Sequence, residues 1–153
     1  MADDTVITDE MKAAIGVESE PSVYEIERSS IRRFAEAIGD TNPLYHDEEY
    51  AKSKGYRSLI APPGFIAQYA FPIKRGKASG FKSPFSRNLN GGNEYEFFKP
   101  IQAGDTITST NQVIELREKA GRMGTMLITV AETTYKDQDG DTVAIARSTG
   151  ISY

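Results

Sequence analysis

The chain's one histidine, His46, closes the stretch Asp40-Thr-Asn-Pro-Leu-Tyr-His46, which also holds a carboxylate, a carboxamide and a phenol. With no cysteine in the chain, disulfides, thiolate metal sites and a thiol nucleophile are excluded, so chemistry must run on oxygen and nitrogen groups. His46 is the sole side chain whose unperturbed pKa, about 6.5, lies near neutrality. Tyr45, with a reference pKa of about 10, would be a weak acid and a poor base. Each residue also has a plainer reading. Asp40 after Gly39 is a common turn residue at a helix end, and His46 before Asp47 could be an exposed residue ahead of a cap. Tyr45 and Tyr50 are more often half-buried packing residues than catalysts.

Two helices must position this loop. Upstream, Ile31, Phe34, Ala35 and Ile38 recur at helical spacing, with Ser29 or Ser30 as the expected cap and Gly39 as the stop. Downstream, Asp47 can cap a short helix through Glu48, Glu49, Tyr50 and Ala51 that closes at Gly55. A third helix is expected from Pro62 or Pro63 to Phe71. It is apolar around nearly its whole circumference, which marks a buried central element. Alternation over Pro21–Glu27 predicts a short strand, and residues 93–98, 106–116, 125–135 and 142–151 read as long ones. Asp139-Gly140 is the hairpin turn joining the last two. A strand, then helices, then four consecutive strands imply an α+β domain whose antiparallel sheet wraps a helix. At 153 residues the chain is expected to hold one such domain, over 21–153, behind an acidic arm, 1–20.

The stretch Phe34–Ala51 resembles the hydratase motif of the MaoC-like hot-dog family, which runs Gly-Asp-x-Asn-Pro-aliphatic-His-x-Asp before a short helix with alanine. Gly39, Asp40, Asn42, Pro43, Leu44, Asp47 and Ala51 match it without a gap. The resemblance extends through Ile60–Phe65 and Phe98–Asp105, and it is closest to the N-terminal MaoC dehydratase group, whose members include subunits that work beside a second hot-dog chain. It implies a hot-dog fold and addition or removal of water at the 2,3-position of an acyl-CoA or acyl-carrier thioester. That reaction needs a base for water, an acid for the α-carbon and donors for an enolate-like oxygen. The resemblance assigns the carboxylate to Asp40 and makes Asn42 and Pro43 loop formers. In the ungapped match the family's histidine falls on Tyr45, with His46 one residue later, so a local shift is needed to bring His46 to Asp40. The glycine that opens the family's central helix falls on Pro63, which has no N–H, leaving Gly64 as the oxyanion donor.

Charge is unevenly distributed beneath a net −4: residues 1–27 hold eight carboxylates and one lysine, whereas residues 71–88 hold Lys74, Arg75, Lys77, Lys82 and Arg87 and no acid. Such a basic loop could meet the phosphates of an acyl carrier, with Lys74 and Arg75 foremost, or could simply be solvated. The acidic balance and the lack of a nucleic-acid motif argue against nucleic acid. No apolar run of eighteen residues is present, and the N-terminus lacks a basic, then apolar, leader, so a cytoplasmic protein away from membranes is expected. No metal or redox cofactor is implied, coenzyme A or a carrier being part of the substrate. A long edge strand is expected to pair with a second hot-dog chain, as homodimer or heterodimer. Three functions follow: a hydratase or dehydratase using Asp40 and His46, a non-catalytic subunit forming the acyl channel of a partner, and, ranked lower, an acyl-CoA thioesterase.

Overall fold

The computed structural model of the protein describes residues 5–69, 81–122 and 124–153. Three helices, α1 (Asp9–Ala13), α2 (Arg28–Ala37) and α3 (Glu48–Ser53), accompany five strands: β1 (Ser22–Glu25), β2 (Asn88–Phe97), β3 (Thr106–Gly121), β4 (Gly124–Lys136) and β5 (Thr142–Ser152). The strands form one antiparallel sheet in the order β1-β3-β4-β5-β2.

Period-two burial explains why these segments are strands. Along β3, Ile107, Ser109, Asn111 and Val113 are buried while Thr106, Thr108, Thr110 and Gln112 are only partly so. The turn between β4 and β5 forms at Asp139-Gly140 as expected. Asp137 Oδ1 accepts from the amides of Asp139 and Asp141, both at 3.0 Å, and Gly140 takes φ +85°. Strand β2 starts five residues before the expected Asn93. Asn88–Gly92 carries little strand propensity, and it is the partner β5 that holds it extended, through a bulge at Gly91-Gly92.

The core lies between one face of this sheet and the segment that follows Pro62. Phe65 and Ile66 from that segment, Ile31 and Ala35 from α2, and Ile107, Tyr135, Val143 and Ala146 from the sheet are buried in one cluster. The Phe34 and Phe65 rings meet edge to face with centroids 5.7 Å apart. The expected α-helix from Pro63 to Phe71 is instead a 3-10 helix over Pro63–Tyr69, and the rest of that stretch lies outside the described residues. Pro62 and Pro63 bring no N–H, and the segment opens with the three-residue closure from Phe65 N to Pro62 O at 2.9 Å. Helix α2 also begins earlier than expected. Glu27, not Ser29 or Ser30, occupies the N-cap without a side-chain cap bond, because Ile26 is pinned by its amide to Asp105 O and the chain turns immediately after it.

Candidate functional site

The loop between α2 and α3 is built by its own polar side chains. Gly39, at φ +70°, ends α2, and the amides of Asp40 and Gly39 return to Ala35 O at 2.9 Å and Glu36 O at 3.1 Å. Asp40 Oδ1 then accepts from Asn42 N at 2.9 Å, Asn42 Oδ1 from Leu44 N at 3.0 Å, and Asp47 Oδ1 from Tyr50 N at 3.0 Å. Three successive Asx-type bonds therefore carry the chain from one helix to the next around a 3-10 turn, Pro43–Tyr45.

The two aromatic residues of the loop go to different places. Tyr45 is buried, and its hydroxyl is pushed above its ordinary pKa, first by burial and then by the Asp40 carboxylate, with the Asn42 side chain offsetting part of this. His46 is half-buried, and its Nε2 lies 2.7 Å from the main-chain carbonyl oxygen of Asp40. A carbonyl can only accept, so Nε2 carries the proton and donates. That nitrogen cannot deprotonate a water while so engaged, and the bond is to the Asp40 backbone, not its carboxylate. The carbonyl of His46 is held in turn by Arg32 Nε at 3.3 Å.

Tyr45 forms part of the wall of a cavity of about 300 Å³ that is otherwise made by Ile60–Pro63 and Phe97–Ile101. The wall is apolar apart from the Tyr45 phenol and Lys99. Lys99 is tethered to Asp137 and, at 3.1 Å, to Asp141, and its ammonium pKa is raised mainly by the bonds to these two carboxylates. Phe97 and Phe98 are 45% and 54% exposed, so the cavity opens beside the edge strand β2.

Comparison with known proteins settles the family. Residues 13–146 match the family described as FAS1-like, dehydratase domain region. This chain belongs to that MaoC-like dehydratase family. One relative, the UPF0336 protein of Saccharopolyspora erythraea, is 37% identical over 143 residues, covering 90% of this chain and 88% of that protein. The protein named "Probable enoyl-CoA hydratase alpha subunit" of Thermomonospora curvata is 32% identical over 132 residues, which cover 76% of this chain but 41% of that longer protein. Among solved structures, the C-terminally truncated HadBC (3R-hydroxyacyl-ACP dehydratase) complex of Mycobacterium tuberculosis superposes with a TM-score of 0.78. It does so at 24% identity, covering 91% of this chain and 97% of the matched chain. The fold is thus the hot-dog fold expected from the sequence.

Set in this dehydratase fold, the sequence-predicted residues separate into groups. Asp40, Asn42 and Tyr45 come together beside the cavity. His46 joins them through the main chain, and the expected local shift that would bring His46 to the Asp40 carboxylate is corrected: Tyr45 lines the cavity and His46 does not. The 3-10 turn over Pro43–Tyr45 leaves the ring of residue 45 on the inner side and that of residue 46 folded back over the loop. Pro63 lines the cavity and Gly64 does not, and a Cβ placed on Gly64 would make only an ordinary 3.5 Å contact with Phe34. Lys74, Arg75 and Lys77 lie outside the described residues, while Lys82 and Arg87 are exposed and do not line the cavity. The sequence reading missed Phe97, Phe98 and Lys99 as wall residues; the signal was a Phe-Phe pair ahead of Pro100 at a strand end. Among the described residues no group of His, Asp or Glu is arranged to hold a metal, and no helix is long and apolar enough to cross a membrane.

Proposed function

We propose that this chain is one subunit of a two-chain hot-dog assembly that adds or removes water at the 2,3-position of acyl thioesters. In this reading it supplies an acyl-binding wall to a second chain that bears the family's histidine. The observation that carries the reading is the exchange at the loop: a buried phenol occupies the cavity wall beside Asp40, and the chain's one imidazole donates to a backbone carbonyl. A phenol whose pKa is raised above 10 is a poor base at neutral pH, whereas an apolar wall of Ile60, Ala61, Phe97 and Phe98 suits an acyl chain. The half-exposed Phe97 and Phe98 at the end of edge strand β2, whose outer side has no strand neighbour among the described residues, are the surface a second hot-dog chain would cover. Lys74 and Arg75 keep the role suggested by their charge, attraction of carrier phosphates, and the reading calls for no metal or redox cofactor.

Crotonyl-CoA absorbance tests this directly. The chain alone should leave the absorbance unchanged, and mixing it with a MaoC-like partner chain that has the regular histidine should raise that partner's turnover. Hydration by the pure chain, lost in Asp40→Asn and His46→Gln by at least about a hundredfold, would instead support the second reading, an autonomous hydratase. That second reading draws on one observation: Asp40 and His46 share a short loop in which the ring already lies against Asp40's own backbone.

A further inference from the structure

We infer that the acidic N-terminal segment is a strap that seals the outer edge of β3, so that the sheet can be extended by another chain only at β2. The inference rests on the proposed function only in naming a hot-dog chain as the occupant of the β2 edge; the seal itself is a property of this chain alone.

A five-stranded open sheet has two edges, and each is a row of unpaired N–H and C=O groups that would template association. At one end β1 covers β3 only from Thr106 to Ser109, although β3 continues to Gly121. The strap continues where β1 stops. Ser19 N donates to Asn111 O at 2.7 Å, Asn111 N donates to Ser19 Oγ at 3.0 Å, and Gly16 N donates to Val113 O at 2.8 Å, with Ile15 bridging Val113 in parallel. Further along, Thr5 Oγ1 and, at 2.8 Å, Ile7 N both donate to the Glu118 carboxylate, which these bonds hold below its ordinary pKa. Between these anchors, Thr8 caps α1 and turns Met11 inward to 2% exposure. Val113 at 2% and Leu127 at 0% are likewise buried, and all three lie outside the main core cluster. Between and beyond these anchors β3 carries Glu115, Arg117 and Lys119, charges that discourage strand addition.

The opposite edge has no such cover among the described residues. Nine of the ten residues of β2 are exposed, including Leu89 and Phe97, and its outer side has no strand neighbour. Association is therefore one-sided. With both edges open, every added chain would present a further edge and growth would not close; with one sealed, pairing ends after a single partner.

The experiment unfastens the strap in the full-length chain. Gly16 is exposed at φ +80°, so Gly16→Pro removes the N–H to Val113 and cannot take the local backbone conformation, yet it leaves the main core untouched. Ser19→Pro is the second variant. Hydrogen exchange should show the Asn111 amide protected in the wild type and at least tenfold faster in both variants. Sedimentation should show wild-type mass levelling at a fixed stoichiometry as concentration rises and variant mass continuing to climb. A synthetic peptide of residues 5–19 should return the variants to the wild-type mass. Unprotected Ser19 and Asn111 amides in the wild type would overturn the inference, as would fast exchange in the variants without a change in mass. So would growth that the peptide fails to reverse, since it would then come from exposed apolar surface and not from the β3 edge.

Discussion

Replacing His46 by alanine separates a structural imidazole from a catalytic one. The substitution removes the donor to the Asp40 carbonyl, a 2.7 Å bond within a half-buried loop. A hydrogen bond of this kind contributes about 1 kcal/mol net, and a buried carbonyl left without a donor costs about 1–3 kcal/mol. Asp40 is half-buried, so water can replace part of the lost bond, and the lower half of that range applies. About 1–2 kcal/mol in a chain of this length corresponds to a fall in Tm of about 2–8 °C.

The proposed subunit role then predicts a dissociation between two assays. Calorimetry of the isolated chain should show that fall in Tm. The turnover of the two-chain assembly, followed by crotonyl-CoA absorbance under conditions where both chains stay folded, should change by less than about threefold. A general acid or base is worth about 10²–10⁴ in rate, so the catalytic alternative predicts a loss at least thirtyfold greater than that. An unchanged Tm combined with a hundredfold loss of turnover would refute the structural assignment and return His46 to the acid–base pair.

Three more outcomes are expected. Tyr45→Phe keeps the cavity wall and removes only a hydroxyl that is protonated at neutral pH, so turnover of the assembly should stay within about threefold of wild type, well below a general acid–base effect. Gly39→Ala places a Cβ in open space but at φ +70°, so it should cost about 1–2 kcal/mol from the backbone alone, read by urea denaturation. Burial raises the pKa of Asp137, but bonds from Lys99 and from the amides of Asp141 and Asp139 outweigh it and leave the carboxyl below its ordinary 3.8. A depressed folded-state pKa stabilises above the unfolded value and is lost as pH falls through it. Asp137→Asn should therefore lower Tm at pH 7, and the gap to wild type should close as pH drops below about 4.

Features determined by neighbours in sequence were legible before the structure; those determined by distant partners were not. Gly39 as a helix stop, Asp47 as a cap and Asp139-Gly140 as a hairpin each depend on bonds spanning a few residues, and residue type alone signals them. The first half of β2 is different. Asn88–Gly92 is extended because β5 lies beside it, and nothing in its composition says so. Met11 fell within the expected acidic arm, and its burial was not foreseen because it depends on a strap running along β3, about a hundred residues away in sequence. The cavity wall at Phe97 and Phe98 was hidden for a similar reason, since a strand-end aromatic pair reads equally well as core. For the site itself, the loop's residue types were readable but the direction of its rings was not. The 3-10 turn over Pro43–Tyr45 puts Tyr45, and not His46, in the cavity wall.

Gly39 supplies the left-handed turn, Asp40 caps the amide of Asn42, Asn42 caps that of Leu44, Pro43 starts the 3-10 turn, and Asp47 caps α3. Every one of these matching residues is accounted for by folding the loop, without any reference to a substrate. Position 45 differs from these: its side chain is buried in the core cluster, meets the Asn42 side chain through its hydroxyl and forms cavity wall. Resemblance in the folding positions therefore reports loop geometry, and in the proposed reading the chemistry turns on position 45, where the motif match puts a phenol in place of the family's imidazole. A loop so built can orient Asp40 and line a cavity without an imidazole in its wall. It would then be complete only beside a chain that brings one, which is the arrangement proposed for this protein.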